Sequence, residues 1–426
     1  MKKIFLYLMF AAVTFGMQSC LHDDEELFED SAAERIDKAV ANAKSVLKSA
    51  PNGWHLEYYL GSEYGYGGYN FLVKFTEDRV YAAGEIAGDN KMVTWSSYDV
   101  VKDQGPVLTV NTYNEILHFL TQPYSNQVDG FEGDFEFILL DVTPDRIELK
   151  GKKWGNHMVL TRLAEDVVWE SYLDGITNIK DNILFIYEGN IDGKPVYSEL
   201  DDDNHMLIAD EEETEEIYEP FIYTSKGLRL REPVEFAGVQ VQNFTYDVDR
   251  FVLTCDEHPG LQLTAVLPEG YQFYDELNSA IVGDFTFSYY LGLRNVNVTI
   301  TENADKNGWV MTGLVPKADI QIKYNKQAGA AYIYAQQLGT DSKGNAIFLA
   351  MWDLAGGGNL TWSTDASVKL VPSARGFSIT NGGTYAGLAP DSFILWDSTN
   401  SGTCSDAAWL IGGSAQLPYL VGLNRK

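Results

Sequence analysis

Residues 295–301 read NVNVTIT, in which Val296, Val298 and Ile300 alternate strictly with polar residues. A period of two is typical of a β-strand with one buried face. The same alternation returns in residues 319–324 (DIQIKY). Further strand-like segments occupy residues 331–335, 347–352, 367–371 and 376–379. Even spacing with Gly-rich turns predicts an antiparallel sandwich or barrel over residues 284–426.

A first β domain is predicted upstream, over residues 31–267, and it includes an acid-rich insert. Its clearest alternating segments are residues 70–75 (NFLVKF), 135–140 (FEFILL), 146–150 and 158–163. The predicted fold class is therefore mainly β, with two antiparallel β domains of barrel or sandwich type.

Three short helices are expected around these domains. Ser31 and Glu34 fit a capping box at the start of an amphipathic segment that ends before Pro51. Residues 166–183 carry apolar side chains at helical spacing, and residues 268–283 form a turn-and-helix connector. A helix that leads into a Trp-led strand leaves a lipocalin-like interior pocket as one alternative.

The amino terminus has the organisation of an export signal over residues 1–19, with two lysines followed by an apolar run. The segment resembles the lipobox of bacterial lipoproteins, which implies cleavage before Cys20 and acylation of its thiol. Residues 20–30 form an acidic tether. We therefore expect an outer-membrane lipoprotein, held by the lipid at Cys20 and exposed at the cell surface. A plain secreted protein and an anchor that faces the periplasm are the alternatives.

The composition narrows the classes of partner and of chemistry. Lys and Arg number 31 against 61 Asp and Glu, a formal net charge of −30, which disfavours nucleic acid as a partner. No GxSxG or HExxH motif occurs, so no catalytic residue is assigned. Cys255 and Cys404 are a candidate disulfide, and they form either one bridge or none.

The acid-rich segment and one Asn-rich turn are the two places where the sequence suggests a metal site. Residues 201–219 contain ten acidic residues and no Lys or Arg, and we expect a solvated loop there. Asn303, Asp305 and Asn307 alternate as in a calcium loop, but the twelfth position is Leu314, which favours a hairpin turn. We assign no metal and no cofactor.

The sequence Tyr64-Gly65-Tyr66-Gly67-Gly68-Tyr69 is the candidate ligand-binding segment. Glycines allow the chain to bend, while Tyr64, Tyr66 and Tyr69 offer flat rings on which sugars can stack. The alternative is a Gly-rich hairpin whose tyrosines pack on the sheet.

Several short motifs together resemble an uncharacterised lipoprotein family of Bacteroidota, domain of unknown function 4302. They are the lipobox, the acidic tether, the capped helix, Asn52-Gly53-Trp54, Gly67-Gly68-Tyr69-Asn70, Pro220-Phe221 and Gly227-Leu228. The resemblance covers most of the chain after the signal. It implies a bacterial envelope location and an association with polysaccharide uptake, and it supplies no catalytic residues.

The expected function is that of a surface-anchored, non-enzymatic lipoprotein that binds an extracellular ligand, a glycan. Two alternatives stay open: a scaffold or adhesion subunit that contacts an envelope protein partner, and a glycan-active hydrolase.

Overall fold

The computed structural model describes residues 31–426, apart from residues 104, 124–127, 213, 362–365 and 386. The export signal, the acidic tether and Cys20 lie outside the described residues. The described chain is mainly β, which confirms the predicted fold class, and its strands form three closed antiparallel barrels and one further sheet. Its helices are α1 (Ala32–Lys48), α2 (Trp169–Asn182) and α3 (Tyr274–Ile281). Over the described residues, none of these helices has both the length and the apolar character needed to cross a membrane.

The chain divides into two compact units. In its described part, the first unit comprises residues 31–177, 201–206 and 218–233. The second unit comprises residues 178–200, 207–217 and 234–426.

Barrel 1 belongs to the first unit and consists of eight strands that are neighbours in sequence as well as in space. The strands are β1 (Trp54–Tyr59), β2 (Gly68–Phe75), β3 (Arg79–Gly84), β4 (Thr94–Lys102), β5 (Pro106–Val110), β6 (Glu136–Val142), β7 (Arg146–Gly151) and β8 (His157–Arg162). Antiparallel pairing of β1 with β8 closes the barrel. Closure leaves no free sheet edge.

The helix α1 begins with the predicted capping box. The Ser31 hydroxyl accepts the backbone N–H of Glu34, and the Glu34 carboxylate accepts the backbone N–H of Ser31 at 3.0 Å. Ala43 and Leu47 on the inner face of the helix are fully buried and join the core of barrel 1. The apolar residues that recur at helical spacing in α1 therefore pack the helix against the barrel.

The interior of barrel 1 is filled by side chains. Leu56, Val73, Phe137 and Met158 are among the apolar residues around a residual cavity of about 20 Å³. That volume is enough for about one water molecule and far too small for a lipid. The lipocalin-like alternative is therefore wrong for this barrel.

Barrel 2 is also closed and antiparallel, with the strand order β10 to β16 followed by β9. The strands are β9 (Ile186–Ile191), β10 (Lys194–Leu200), β11 (His205–Asp210), β12 (Glu216–Thr224), β13 (Gly227–Phe236), β14 (Val239–Asp247), β15 (Val252–Cys255) and β16 (Gln262–Ala265). The expected solvated loop over residues 201–219 is wrong, since β11 and the start of β12 lie there. Met206 and Ile208 are fully buried, whereas the acids concentrate in the turns before and after β11.

The last part of the chain forms barrel 3 and a six-stranded sheet. The strands are β17 (Gly283–Tyr289), β18 (Arg294–Glu302), β19 (Gly308–Val315), β20 (Ala318–Asn325), β21 (Ala330–Tyr334), β22 (Gln336–Thr340), β23 (Ala346–Asp353), β24 (Asn359–Thr361), β25 (Ser367–Ser373), β26 (Gly376–Asn381), β27 (Ser392–Asp397), β28 (Gly402–Thr403), β29 (Gln416–Leu417) and β30 (Gly422–Arg425). Barrel 3 runs in the order β17 to β21, β25, β26 and β30. The sheet is built around β23 and β27, and one hydrophobic cluster joins it to the barrel.

Candidate functional site

The tyrosines of the Gly-rich segment are half-buried and pack within the first unit. The guanidinium of Arg231 lies 4.3 Å from the ring centroid of Tyr64, and Tyr66 meets Phe131 edge-on at 5.5 Å. Tyr69 packs on the barrel core, and burial raises the pKa of its hydroxyl to about 12. These contacts favour the packing alternative over a shared exposed platform.

The glycines of that segment have a steric role. Gly67 has a φ of +63°, and a Cβ added there would lie 2.0 Å from the carbonyl oxygen of Asp203. The backbone approaches so closely that only glycine fits. The Gly-rich composition therefore has an explanation in packing.

The two candidate disulfide cysteines are both free and buried, so the candidate bridge is not formed. The Cys255 thiol lies 3.4 Å from a carboxylate oxygen of Glu257. Burial raises the pKa of the Cys255 thiol to about 11, which keeps it protonated and unreactive.

The second unit contains an open cleft of about 1140 Å³. Six aromatic side chains line it: Phe251, Tyr271, Phe273, Tyr274, Tyr324 and Tyr334. Its volume is that of a site for a ligand larger than a single small molecule. We call it the aromatic cleft.

Hydrogen bonds hold the tyrosines of the aromatic cleft in place. The Tyr271 hydroxyl donates to the Lys326 carbonyl at 2.8 Å, and the Tyr324 hydroxyl donates to the Gln272 carbonyl at 2.7 Å. Burial is the main cause that raises the pKa of both tyrosines. Their rings are therefore fixed before any ligand arrives, which lowers the entropic cost of binding.

Phe273 is the aromatic side chain of the cleft that stands most open to solvent, with 46% of its surface exposed. Its ring centroid lies 5.4 Å from that of Tyr271, in an edge-to-face arrangement, and 6.2 Å from that of Phe251. A supported ring that is open to solvent can stack on a flat apolar ligand surface.

A second set of lining residues carries side-chain amides: Asn178, Asn182, Asn303, Asn307, Gln321, Asn325 and Gln327. Some are engaged in the fold; the Gln327 amide donates to the carbonyls of Lys180 and Ile183 at 3.0 and 3.1 Å. Asn303 donates to Asn307 at 2.7 Å within the predicted hairpin turn. An amide offers both donors and an acceptor, as recognition of hydroxyl groups requires.

The charges that line the cleft are balanced: Asp181, Asp249, Asp275, Lys306, Lys323 and Lys326. The whole chain, by contrast, has a formal charge of −30. The Lys326 ammonium donates to the Val248 carbonyl at 2.7 Å, and burial lowers its pKa. A charge-balanced lining favours a neutral ligand over a polyanion or polycation.

The sequence did not reveal this cleft, because its lining comes from six separated segments between residues 178 and 334. No local motif connects them. The nearest signal is the aromatic density of residues 271–274 (YQFY), which lies inside the predicted connector.

The fold and the cleft define a class: a β protein of closed antiparallel barrels with an open, aromatic, charge-balanced cleft. A family model described as a domain of unknown function (DUF4302) matches residues 24–248, more than half of the chain. The chain therefore belongs to this family, as the sequence predicted. This family model covers less of the chain than the resemblance implied. A second family model, also described as a domain of unknown function (DUF4987), matches residues 256–396. No curated protein matches the chain.

Proposed function

We propose that the protein is a non-enzymatic glycan-binding protein whose ligand occupies the aromatic cleft. The observation that carries the proposal is the combination of fixed aromatic rings, amide side chains and balanced charge in one open cleft of about 1140 Å³.

A glycan matches each of these properties. The C–H faces of its sugar rings are flat and apolar, so they stack on a ring such as Phe273, while the hydroxyl groups exchange hydrogen bonds with amides. A neutral polysaccharide carries no charge that the lining would have to compensate. An open cleft, unlike an enclosed cavity, also accepts an internal stretch of a long chain.

The location is part of the proposal. A lipid at Cys20 and an acidic tether would hold the binding domains outside the outer membrane, where polysaccharides are encountered. Metabolic labelling with a radioactive fatty acid tests the anchor: we expect label in the protein and none in a Cys20→Ser variant. Protease treatment of intact cells tests surface exposure, and protection from the protease would overturn it.

The binding test is an array of neutral and charged oligosaccharides probed with the purified protein. We expect binding to neutral glycans, and a loss of about tenfold or more in affinity for Phe273→Ala because a stacking face is removed. Tyr290→Ala is the matched control, since Tyr290 is 47% exposed but does not line the cleft. Equal affinities for the wild type and Phe273→Ala would overturn the assignment to the cleft.

A glycan that binds in the array experiment can also be used to test for hydrolysis. Incubation of the bound glycan with the protein should release no new reducing ends. Turnover would overturn the non-enzymatic proposal, and the three aspartates of the cleft would then be replaced one at a time.

The scaffold alternative is favoured by one observation in the second unit. The turn between β17 and β18 exposes Tyr290, Leu291 and Leu293, the two leucines at 74% each. Contiguous exposed apolar side chains are typical of protein contact sites. Crosslinking in intact cells should then capture an envelope protein that a Leu291→Ser, Leu293→Ser variant loses.

A further inference from the structure

The first unit contains a separate open pocket of about 390 Å³ that the aromatic cleft does not include. It is lined by Thr94, Trp95, Tyr113, Asn114 and Glu115. These residues come from the start of β4 and from the segment after β5. We call it the Trp95 pocket.

Two aromatic rings of the Trp95 pocket are exposed. Trp95 exposes 51% of its surface and Tyr113 exposes 64%. The guanidinium of Arg79 lies 4.0 Å from the centroid of the Trp95 ring, and Tyr113 lies 5.5 Å from the ring of His118. Each ring is thus supported from within the unit and still presents surface to solvent.

The third feature is a buried donor without a partner. Asn114 is 2% exposed, and its Oδ1 accepts from the backbone N–H groups of Ile116 and Leu117 and from the Thr94 hydroxyl, at 2.9–3.0 Å. Its Nδ2 has no hydrogen-bond partner among the residues that the structure describes. A buried N–H group that stays unpaired costs free energy, which an incoming acceptor would recover.

We propose that the Trp95 pocket is a second carbohydrate site, which takes a single neutral hexopyranose unit. The C–H face of the sugar would stack on Trp95 or Tyr113, and one hydroxyl would accept from Asn114 Nδ2. The exposed carboxylate of Glu115 would accept from another hydroxyl. The inference rests on the proposed function for the class of ligand but uses none of the residues of the aromatic cleft.

The probes are glucose, galactose, mannose and N-acetylglucosamine, each titrated into purified protein labelled with 5-fluorotryptophan. The protein has nine tryptophans, and Trp95→Phe identifies the fluorine resonance of Trp95. We expect that resonance to shift with at least one sugar and to saturate with a dissociation constant on the order of 1–10 mM.

The decisive variant is Asn114→Asp, because it retains the acceptor oxygen that holds the loop and replaces the unpaired donor. It should weaken the titration about tenfold or more, and Tyr113→Ala should weaken it about as much. Tyr290→Ala and Phe273→Ala should leave it unchanged, since neither lines this pocket.

The outcomes separate the two proposals. No shift of the Trp95 resonance with any of the sugars would overturn the second site, whatever the array shows for the cleft. A shift that Asn114→Asp and Tyr113→Ala leave intact would also overturn it. A Trp95 response together with an array result that Phe273→Ala does not affect would support this pocket and overturn the cleft.

Discussion

The indole Nε1 of Trp54 donates a 2.9 Å hydrogen bond to the carbonyl oxygen of Leu47, and both residues are fully buried. The bond ties the first strand of barrel 1 to the last turns of α1. In the second unit, Trp309 Nε1 donates to Asn278 Oδ1 of α3 at 2.8 Å. Both tryptophans follow an Asn-Gly pair, but Trp54 lies in the first strand of its barrel and Trp309 in the third. The shared tripeptide therefore marks a shared helix contact within two different topologies.

Replacement of Trp54 by Phe should destabilise the protein by about 2 kcal/mol, because a buried ring shrinks and the Leu47 carbonyl loses its indole donor. Urea unfolding followed by circular dichroism measures the effect as a lower midpoint. Trp95→Phe is the control, since that exposed residue should change stability by less than about 0.5 kcal/mol. An unchanged midpoint for Trp54→Phe would show that α1 is held by other contacts.

A buried polar cluster in the first unit makes stability depend on pH. His55 is 8% exposed, and its Nε2 lies 2.7 Å from Asn70 Oδ1. Burial is the main cause that lowers the His55 pKa from 6.5 to about 4, and the nearby Arg229 guanidinium lowers it further. The unfolded chain therefore binds a proton between pH 6.5 and 4 that the folded chain does not bind.

The sign of this pH effect follows from proton linkage. Above about pH 6.5, protonation of His55 does not change the free energy of unfolding. As the pH drops from 6.5 toward 4, His55 lowers that free energy by about 3 kcal/mol in total. Urea midpoints of the wild type and His55→Gln, measured from pH 7 to pH 4, isolate this contribution because other groups titrate in both proteins. Parallel pH profiles would mean that the His55 pKa is the same in the folded and unfolded states, which would contradict the prediction.

A close approach at Gly151 in β7 gives a third prediction. A Cβ added there would lie 1.8 Å from the Asp134 carboxylate, which is buried and accepts the backbone N–H groups of Lys153 and Trp154 at 2.7 and 3.1 Å. Gly151→Ala must displace that carboxylate, and we expect a loss of about 2–4 kcal/mol. Gly402→Ala is the matched control, because the nearest atom to its Cβ is 3.9 Å away. Equal thermal midpoints for the two variants would contradict the prediction.

The fold was predictable where its signals are local. The capping box of α1 and the alternation in β18 and β20 are properties of a few neighbouring residues, and the structure has these elements where the sequence placed them. The aromatic cleft was not predictable, since Asn178, Phe251 and Tyr324 meet only after the strands between them have paired. Local aromatic density was also misleading: Tyr66 and Tyr69 pack inward, because a ring that fits a barrel core is buried for the same reason that it would bind a sugar.

The free cysteines give the last prediction. Burial raises the pKa of Cys255 to about 11 and also raises the pKa of Cys404, so neither is an available thiolate near neutral pH. A Cys20→Ser variant should therefore react slowly with a thiol reagent at pH 8 when native and expose two reactive thiols once urea unfolds it. Cys255→Ser and Cys404→Ser are the controls, and each should lower by one the number of thiols that react in the unfolded protein. No reactive thiol in urea without reductant, but two with it, would mean that the bridge forms in the purified protein.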